Sequence, residues 1–362
     1  MLIVIVLMRT SLLSVALWLT VTTPLFAQTA EVPKTAPEMW TAWCARCHGS
    51  DGSGKVAEPT VTVEPLDFTD CKIASAEPDA DWVVAIAHGG PAVGLSSQMP
   101  AFGDVLTGDQ VGEFVRLLRG FCREQGWPSG NLNLPRPIFT EKAFPENELI
   151  ILPVASHDKN RPNGFTISTI YERRIGKRAQ IEAVLPIERV YVSTLDAAET
   201  GLGDVEVGLK YALTPRSPRY LLSAGFDVAF PTGAEGRLLG DFSAVFEPYL
   251  AFGTIVAENY VQGQFKLELP SSNSFRTREA IYSAYLGRDT SVFPNTWTLG
   301  IELNGENNEL WVTPQIRKGL TRTGALGAAF GVRVPLTERD EHGMALVGYL
   351  LWEYLEPVFS RR

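Results

Sequence analysis

The stretch GLGDVEVGLKYAL, Gly201 to Leu213, changes character at every second residue. Val205, Val207, Leu209, Tyr211 and Leu213 share one face; Glu206, Gly208, Lys210 and Ala212 share the other. A period of two is that of a β-strand, whose successive side chains point to opposite sides. The same alternation recurs further on. YVQGQFKLEL sets Val261, Gly263, Phe265, Leu267 and Leu269 against Tyr260, Gln262, Gln264, Lys266 and Glu268. TWTLGIEL sets Trp297, Leu299, Ile301 and Leu303 against Thr296, Thr298, Gly300 and Glu302. ALGAAFGVRV sets Leu326, Ala328, Phe330, Val332 and Val334 against small residues and Arg333.

Twelve such segments are predicted, near 148–156, 164–175, 178–187, 203–213, 218–230, 241–254, 258–269, 276–287, 295–303, 309–318, 324–335 and 343–355. Ten-residue dyads in an even number predict an antiparallel transmembrane β-barrel. RIGKR, TPRSPR and VAEN are short connections, whereas ERVYVSTLDAAETGLG, PTGAEGRLLG and LPSSNSFRTR are long. Short and long alternate over the first eight segments, as periplasmic turns and extracellular loops do. A soluble barrel of lipocalin type is the competing reading. It fits less well, because Gln262, Gln264, Lys266 and Glu268 on one strand suit a wet lumen. The Gly201–Leu213 stretch resembles the Gly-Asp strand of outer-membrane barrels grouped under the meta-pathway of phenol degradation. The resemblance is short and implies a porin-like fold more than a particular cargo.

Upstream of the barrel, WPSGNLNLPRPIFTEKAFPENE carries Pro128, Pro135, Pro137 and Pro145 and reads as a semi-rigid linker over 127–147. Before it, TAPEMWTAWCARCHG places Cys44 and Cys47 two residues apart with His48 directly after. A zinc knuckle needs further Cys or His at matching spacing, and a redox dithiol needs a βαβ setting. C-x-x-C-H is the pattern of c-type haem attachment, in which two thiols add to the haem vinyls and the imidazole reaches the iron. Met99, in SSQMPAFG, is the expected sixth ligand. His88 sits at a helix end and Met39 within the attachment helix, so both are poorer candidates. LTGDQVGEFVRLLRGFC opens on a Thr107–Gln110 capping box and shows one apolar helix face.

The order of these pieces resembles a class I cytochrome c over residues 28–126. That resemblance implies one covalent haem c on Cys44 and Cys47, axial ligands His48 and Met99, and single-electron transfer rather than enzymatic turnover. Cys71 and Cys122 depart from the pattern; they are either joined in a disulfide or two buried thiols. This region holds 14 Asp and Glu against 7 Lys and Arg, a net charge of −7, suggesting a redox partner with a basic docking patch. Residues 1–27 read as a signal peptide, starting at Met1 or Met8, with an uncleaved membrane anchor as the alternative. The formal net charge of −9 argues against nucleic-acid binding.

The expected architecture is thus a small all-α cytochrome c domain followed by a barrel of about 12 strands over 148–362. It would sit in the outer membrane of a bacterium, with the haem domain in the periplasm. Two functions follow from it: a tethered electron-transfer protein, or an outer-membrane pore for small, including hydrophobic, molecules.

Overall fold

The structure is a computed structural model that describes residues 33–55, 60–157, 163–192, 197–233, 239–240, 243–272, 277–290, 297–339 and 342–354. The expected signal peptide lies outside these residues. The chain forms strands β1 (Glu148–His157), β2 (Gly164–Ile175), β3 (Ala179–Val192), β4 (Ala197–Leu202), β5 (Val205–Ala212), β6 (Tyr220–Phe230) and β7 (Val245–Val256). It continues with β8 (Asn259–Pro270), β9 (Glu279–Thr290), β10 (Trp297–Glu306), β11 (Glu309–Gly319), β12 (Leu326–Pro335) and β13 (Met344–Glu353). Every pairing is antiparallel and joins sequence neighbours except that β3 also pairs with β5, and β1 pairs with β13 to close the ring. β4 and β5 together fill one position beside β3, against its outer and inner halves in turn. The barrel therefore has twelve staves.

The break between β4 and β5 falls on Gly203 and Asp204. Gly203 N–H still donates to Pro186 O at 3.0 Å, and Asp204 Oδ1 accepts from Gly233 N–H at 2.9 Å. The Gly-Asp pair thus latches this stave to the β6–β7 connection. The long loop expected over 188–203 is in large part ladder instead, running from Ile187↔Leu202 to Val192↔Ala197. Small and charged residues such as Ala197, Ala198 and Glu199 hid that strand from a hydrophobic-alternation search.

Burial shows which way each face points. Val207, Leu209 and Tyr211 are 48%, 53% and 46% exposed, while Lys210 and Ala212 between them are 1% and 0%. Phe265, Leu299, Ile301 and Phe330 are likewise exposed, and Gln262, Thr298 and Glu302 are buried. A soluble barrel would have the opposite sense. An apolar exterior around a polar interior is stable only in lipid, where a closed ring leaves no backbone group unpaired. The fold is therefore a transmembrane β-barrel of the outer-membrane type. Among the described residues no helix is long and apolar enough to cross a membrane.

The expectation of a separate all-α cytochrome c domain is corrected by the structure. Among the described residues, helix is confined to a few pieces, and only Asp79–His88 and Gly108–Phe121 exceed five residues as single elements. Ala36–His48 is interrupted by a π turn at Trp40–Cys44. These pieces are seated on the barrel mouth that carries the start of β1 and the end of β13. There Lys177 Nζ pairs with Glu124 at 2.6 Å, Arg178 Nε donates to Gly126 O at 3.1 Å and Arg216 donates to Gln125 at 2.8 Å. The segment is an appendage of the barrel's rim, with its own small cluster of Met39, Trp40, Phe68, Trp82, Phe114 and Leu118.

Within it, Thr107 Oγ1 accepts from Gln110 N–H and Gln110 Oε1 accepts from Thr107 N–H, the reciprocal cap read from the sequence. Arg119 stacks on Trp82 at 4.1 Å and pairs with Asp79 at 2.6 Å, so Asp79 ties two helices rather than capping its own. Cys71 and Cys122 are joined, with Cα atoms 4.9 Å apart.

Candidate functional site, an occluded lumen

Residues 130–147 do not tether one domain outside another. After the turn Gly130–Leu132 they enter the barrel, reach mid-height at Ile138–Thr140 and return to the same mouth to begin β1. Pro135, Pro137 and Pro145 keep this segment from pairing as a strand, so its backbone needs other partners. The inward polar faces of the staves supply them. Gln262 donates to Pro135 O (2.8 Å), Tyr349 to Arg136 O (2.7 Å), Ser223 to Ala143 O (2.5 Å) and Arg174 to Pro145 O (2.8 Å). Glu141 N–H donates to Gln264 (3.1 Å) and Glu146 N–H to Gln180 (2.6 Å).

Glu302 is the deepest anchor. Its carboxylate is fully buried and accepts from three consecutive backbone N–H groups, Ile138 at 3.2 Å, Phe139 at 3.1 Å and Thr140 at 2.5 Å. The Thr140 hydroxyl and the Gln315 amide also donate to it, at 2.6 Å and 2.8 Å. Apolar side chains of the segment fill the space between these bonds. Leu132, Ala143 and Phe144 pack on Ala212, Leu221 and Tyr249, and Ile138 packs on Ile150, Ala329 and Val347.

Charge is balanced across the lumen. Arg136 Nη1 lies 2.8 Å from Glu172 and 3.1 Å from Glu148. Lys142 Nζ pairs with Glu146 at 2.5 Å and Glu148 at 3.1 Å, and Lys210 Nζ with Glu141 at 2.5 Å. Arg136, Lys142 and Glu141 come from the segment; Glu148, Glu172 and Lys210 come from the wall. Glu148, Glu172 and Lys210 of the wall thus meet these counter-ions only while the segment is in place, whereas the Lys142–Glu146 pair lies within the segment itself. Removing one member of such a pair leaves an uncompensated buried charge, which costs roughly 3–5 kcal/mol. Arg136→Met should lower barrel stability by about that amount, measured by denaturant unfolding in detergent. A loss under about 1 kcal/mol, the range of exposed pairs, would show that the carboxylates rehydrate freely.

On the outer side of the plug, Lys266 Nζ sits among Glu247 (2.6 Å), Asp227 (3.0 Å) and Glu206 (3.8 Å). Three carboxylates around one ammonium leave this vestibule net negative. At the opposite mouth, between the helical segment and the rim, a cavity of about 660 Å³ is lined in part by Asp81, Asp289, Tyr260 and Arg317. Burial pushes the Asp81 carboxyl up to about 6, against the pull of Arg317.

The residues expected to hold haem lie elsewhere, in the helical segment. Cys44 and Cys47 are free and half-buried. Burial, then the neighbouring Cys47, pushes the Cys44 thiol up to about 11, so it is protonated at neutral pH. The His48 ring packs against Phe68 and Trp40, centroids 5.2 Å and 5.9 Å away, and burial holds its pKa down. Met99 is half-buried in a turn whose carbonyl accepts from Gly90 N–H at 3.0 Å; His88 is exposed and Met39 buried. Cys44, Cys47 and His48 are brought together by adjacency in the chain. Neither described cavity is lined by these three or by Met99.

The expected covalent haem c is therefore corrected: the chain builds an outer-membrane type of barrel, no haem-binding domain is evident among the described residues, and aromatic rings crowd the imidazole. The periplasmic haem domain and the basic redox partner expected with it are unsupported as well.

No family model matches the chain, and no curated protein matches it. Among solved structures it is similar to an outer membrane channel from Pseudomonas putida F1, at 15% identity over 60% of this chain and 99% of that one, with a TM-score of 0.44. It is also similar to the KdgM porin, at 10% identity over 57% and 99% of the two chains and a TM-score of 0.39. The outer membrane phospholipase A of Escherichia coli is similar at 9% identity over 61% and 95%, with a TM-score of 0.36.

Proposed function

We propose that this chain is an outer-membrane channel for small solutes whose lumen is held shut by its own residues 130–147, and that the path it guards prefers cations. The carrying observation is the wall itself. Its inward face is polar and charged on stave after stave, and those groups bind the plug by reversible hydrogen bonds and ion pairs rather than by one continuous apolar core. Lipid is its outer partner and a small solute its inner one. The acidic vestibule around Lys266 supports the cation preference, because rings of carboxylates attract cations into a narrow path. The electron-transfer reading rested on haem and is not carried forward.

Bilayer recordings under a potassium chloride gradient test this reading. Current through the full chain, under conditions that loosen the plug, should reverse at a potential of cation-selective sign. Asp227→Asn with Glu247→Gln should move that potential toward zero. Anion selectivity in the unaltered chain would sink the charge assignment. A barrel that passes no ions even with the plug disrupted would sink the channel.

A further inference from the structure

Four histidines occur in the sequence, and His342, at the outer rim, has no part in the lumen plug. His342 lies in the β12–β13 connection and is only 6% exposed, its ring edge-on to Trp311 at 5.3 Å. Nε2 points at two carboxylates. Glu309 Oε2, at the start of β11, is 2.8 Å away, and Glu338 Oε2, one turn before His342, is 3.8 Å away. The 2.8 Å contact lacks the alignment of a hydrogen bond, so Nε2 is a buried nitrogen with no hydrogen-bond partner. All three ligand atoms lie within 4.8 Å of one another.

We propose that Glu309, Glu338 and His342 form a binding site for a divalent transition-metal cation such as zinc. Ligand atoms about 2.0–2.2 Å from a tetrahedral zinc lie roughly 3.3–3.6 Å apart. The two distances from Nε2 bracket that spacing, and one imidazole with two carboxylates suits zinc. The set is held in place before any ion arrives. Leu310 N–H donates to Thr337 Oγ1 (2.9 Å) and Leu336 N–H to Leu310 O (2.7 Å), fixing Glu309 beside the connection. His342 N–H donates to Glu338 O at 3.0 Å, setting the two ligands of the connection one turn apart. A cation between Nε2 and the two carboxylates would satisfy the ligand atoms that face one another there. Bound there, the ion pins the β12–β13 connection to β11 at the mouth opposite the plug's entrance.

The test uses the full chain folded in detergent, stripped with a chelator and titrated with zinc alone, with bound metal counted after washing. Cys44, Cys47 and His48 could take up zinc independently, so the readout is the difference between variants. His342→Ala should bind one zinc fewer than the unaltered chain. Glu309→Gln and Glu338→Gln should weaken that zinc by roughly tenfold or more. Cobalt substituted for zinc should give visible bands of a four-coordinate ion that His342→Ala loses. Retarded migration of the unheated barrel in a denaturing gel confirms folding of each variant. If His342→Ala does not fold, the Glu309→Gln affinity decides. Equal zinc content and affinity in all the chains overturns the proposal, as does a zinc lost from His342→Ala that neither carboxylate variant weakens.

Discussion

Replacing residues 134–144 by a glycine-serine stretch of equal length should convert a closed barrel into a conducting one. Residues 130–147 touch β1, β2, β3, β5, β6, β8, β10, β12 and β13 at once, so they bar the lumen from wall to wall. A ring of this size is too wide for wall side chains alone to fill, since lumen width grows with stave number. Without Leu134, Ile138, Phe139 and Phe144 the space fills with water. Conductance in planar bilayers should rise by roughly tenfold or more, as expected when a dry constriction becomes wet. The replaced segment also removes Arg136 and Lys142, leaving Glu148 and Glu172 to hydrate, and water in the new path supplies that hydration. An unchanged, non-conducting barrel of normal gel mobility would mean that the wall collapses inward and that the plug is not the barrier.

Glu302→Ala should loosen the same plug while leaving its sequence intact. The substitution strips the acceptor from three backbone N–H groups, a threonine hydroxyl and a glutamine amide. Each buried donor left unsatisfied costs about 1–3 kcal/mol. Even about 3 kcal/mol in total shifts a closed-to-open ratio by roughly a hundredfold. Amide hydrogen exchange at 138–140 should accelerate by about that factor, and brief openings should appear in current traces. Glu302→Gln keeps one acceptor oxygen and should fall between the two. Exchange at 138–140 that stays as slow in Glu302→Ala as in the unaltered chain would show that the apolar contacts hold the plug alone.

The wall was legible because its signal is local. Val207, Leu209 and Tyr211 against Lys210 and Ala212 state both the strand and its two environments within a few residues, and eleven further segments repeat the statement at close to their observed bounds. The plug was not legible for the opposite reason. Thr140 and Glu302 are 162 residues apart, and nothing in FTEKAFPENE has a period to read. A signal was nonetheless present. Glu172, Lys210 and Glu302 are inward charges, and Arg136, Glu141 and Lys142 supply partners in a stretch otherwise read as linker. Weighing inward charges against one another, rather than faces alone, would have pointed there. The C-x-x-C-H reading failed in another way. Five residues define a spacing of thiols and imidazole, but not the space beside them, and here Trp40 and Phe68 crowd the imidazole.

The plug enters and leaves by one mouth, and that has a mechanical consequence. Both of its ends, Gly130 and Glu148, are anchored on the side where the helical segment rests, and no free end projects through the barrel. It can be drawn out as slack is drawn from a loop of cord, with nothing to unthread. The handle of that cord is the helical segment, braced on the β2–β3 and β5–β6 turns by Glu124, Gln125 and Gly126. On the proposed channel reading, a pull on that handle would open the door, whereas a push from the far side would have only the vestibule wall to act on. The barrel is bolted from within.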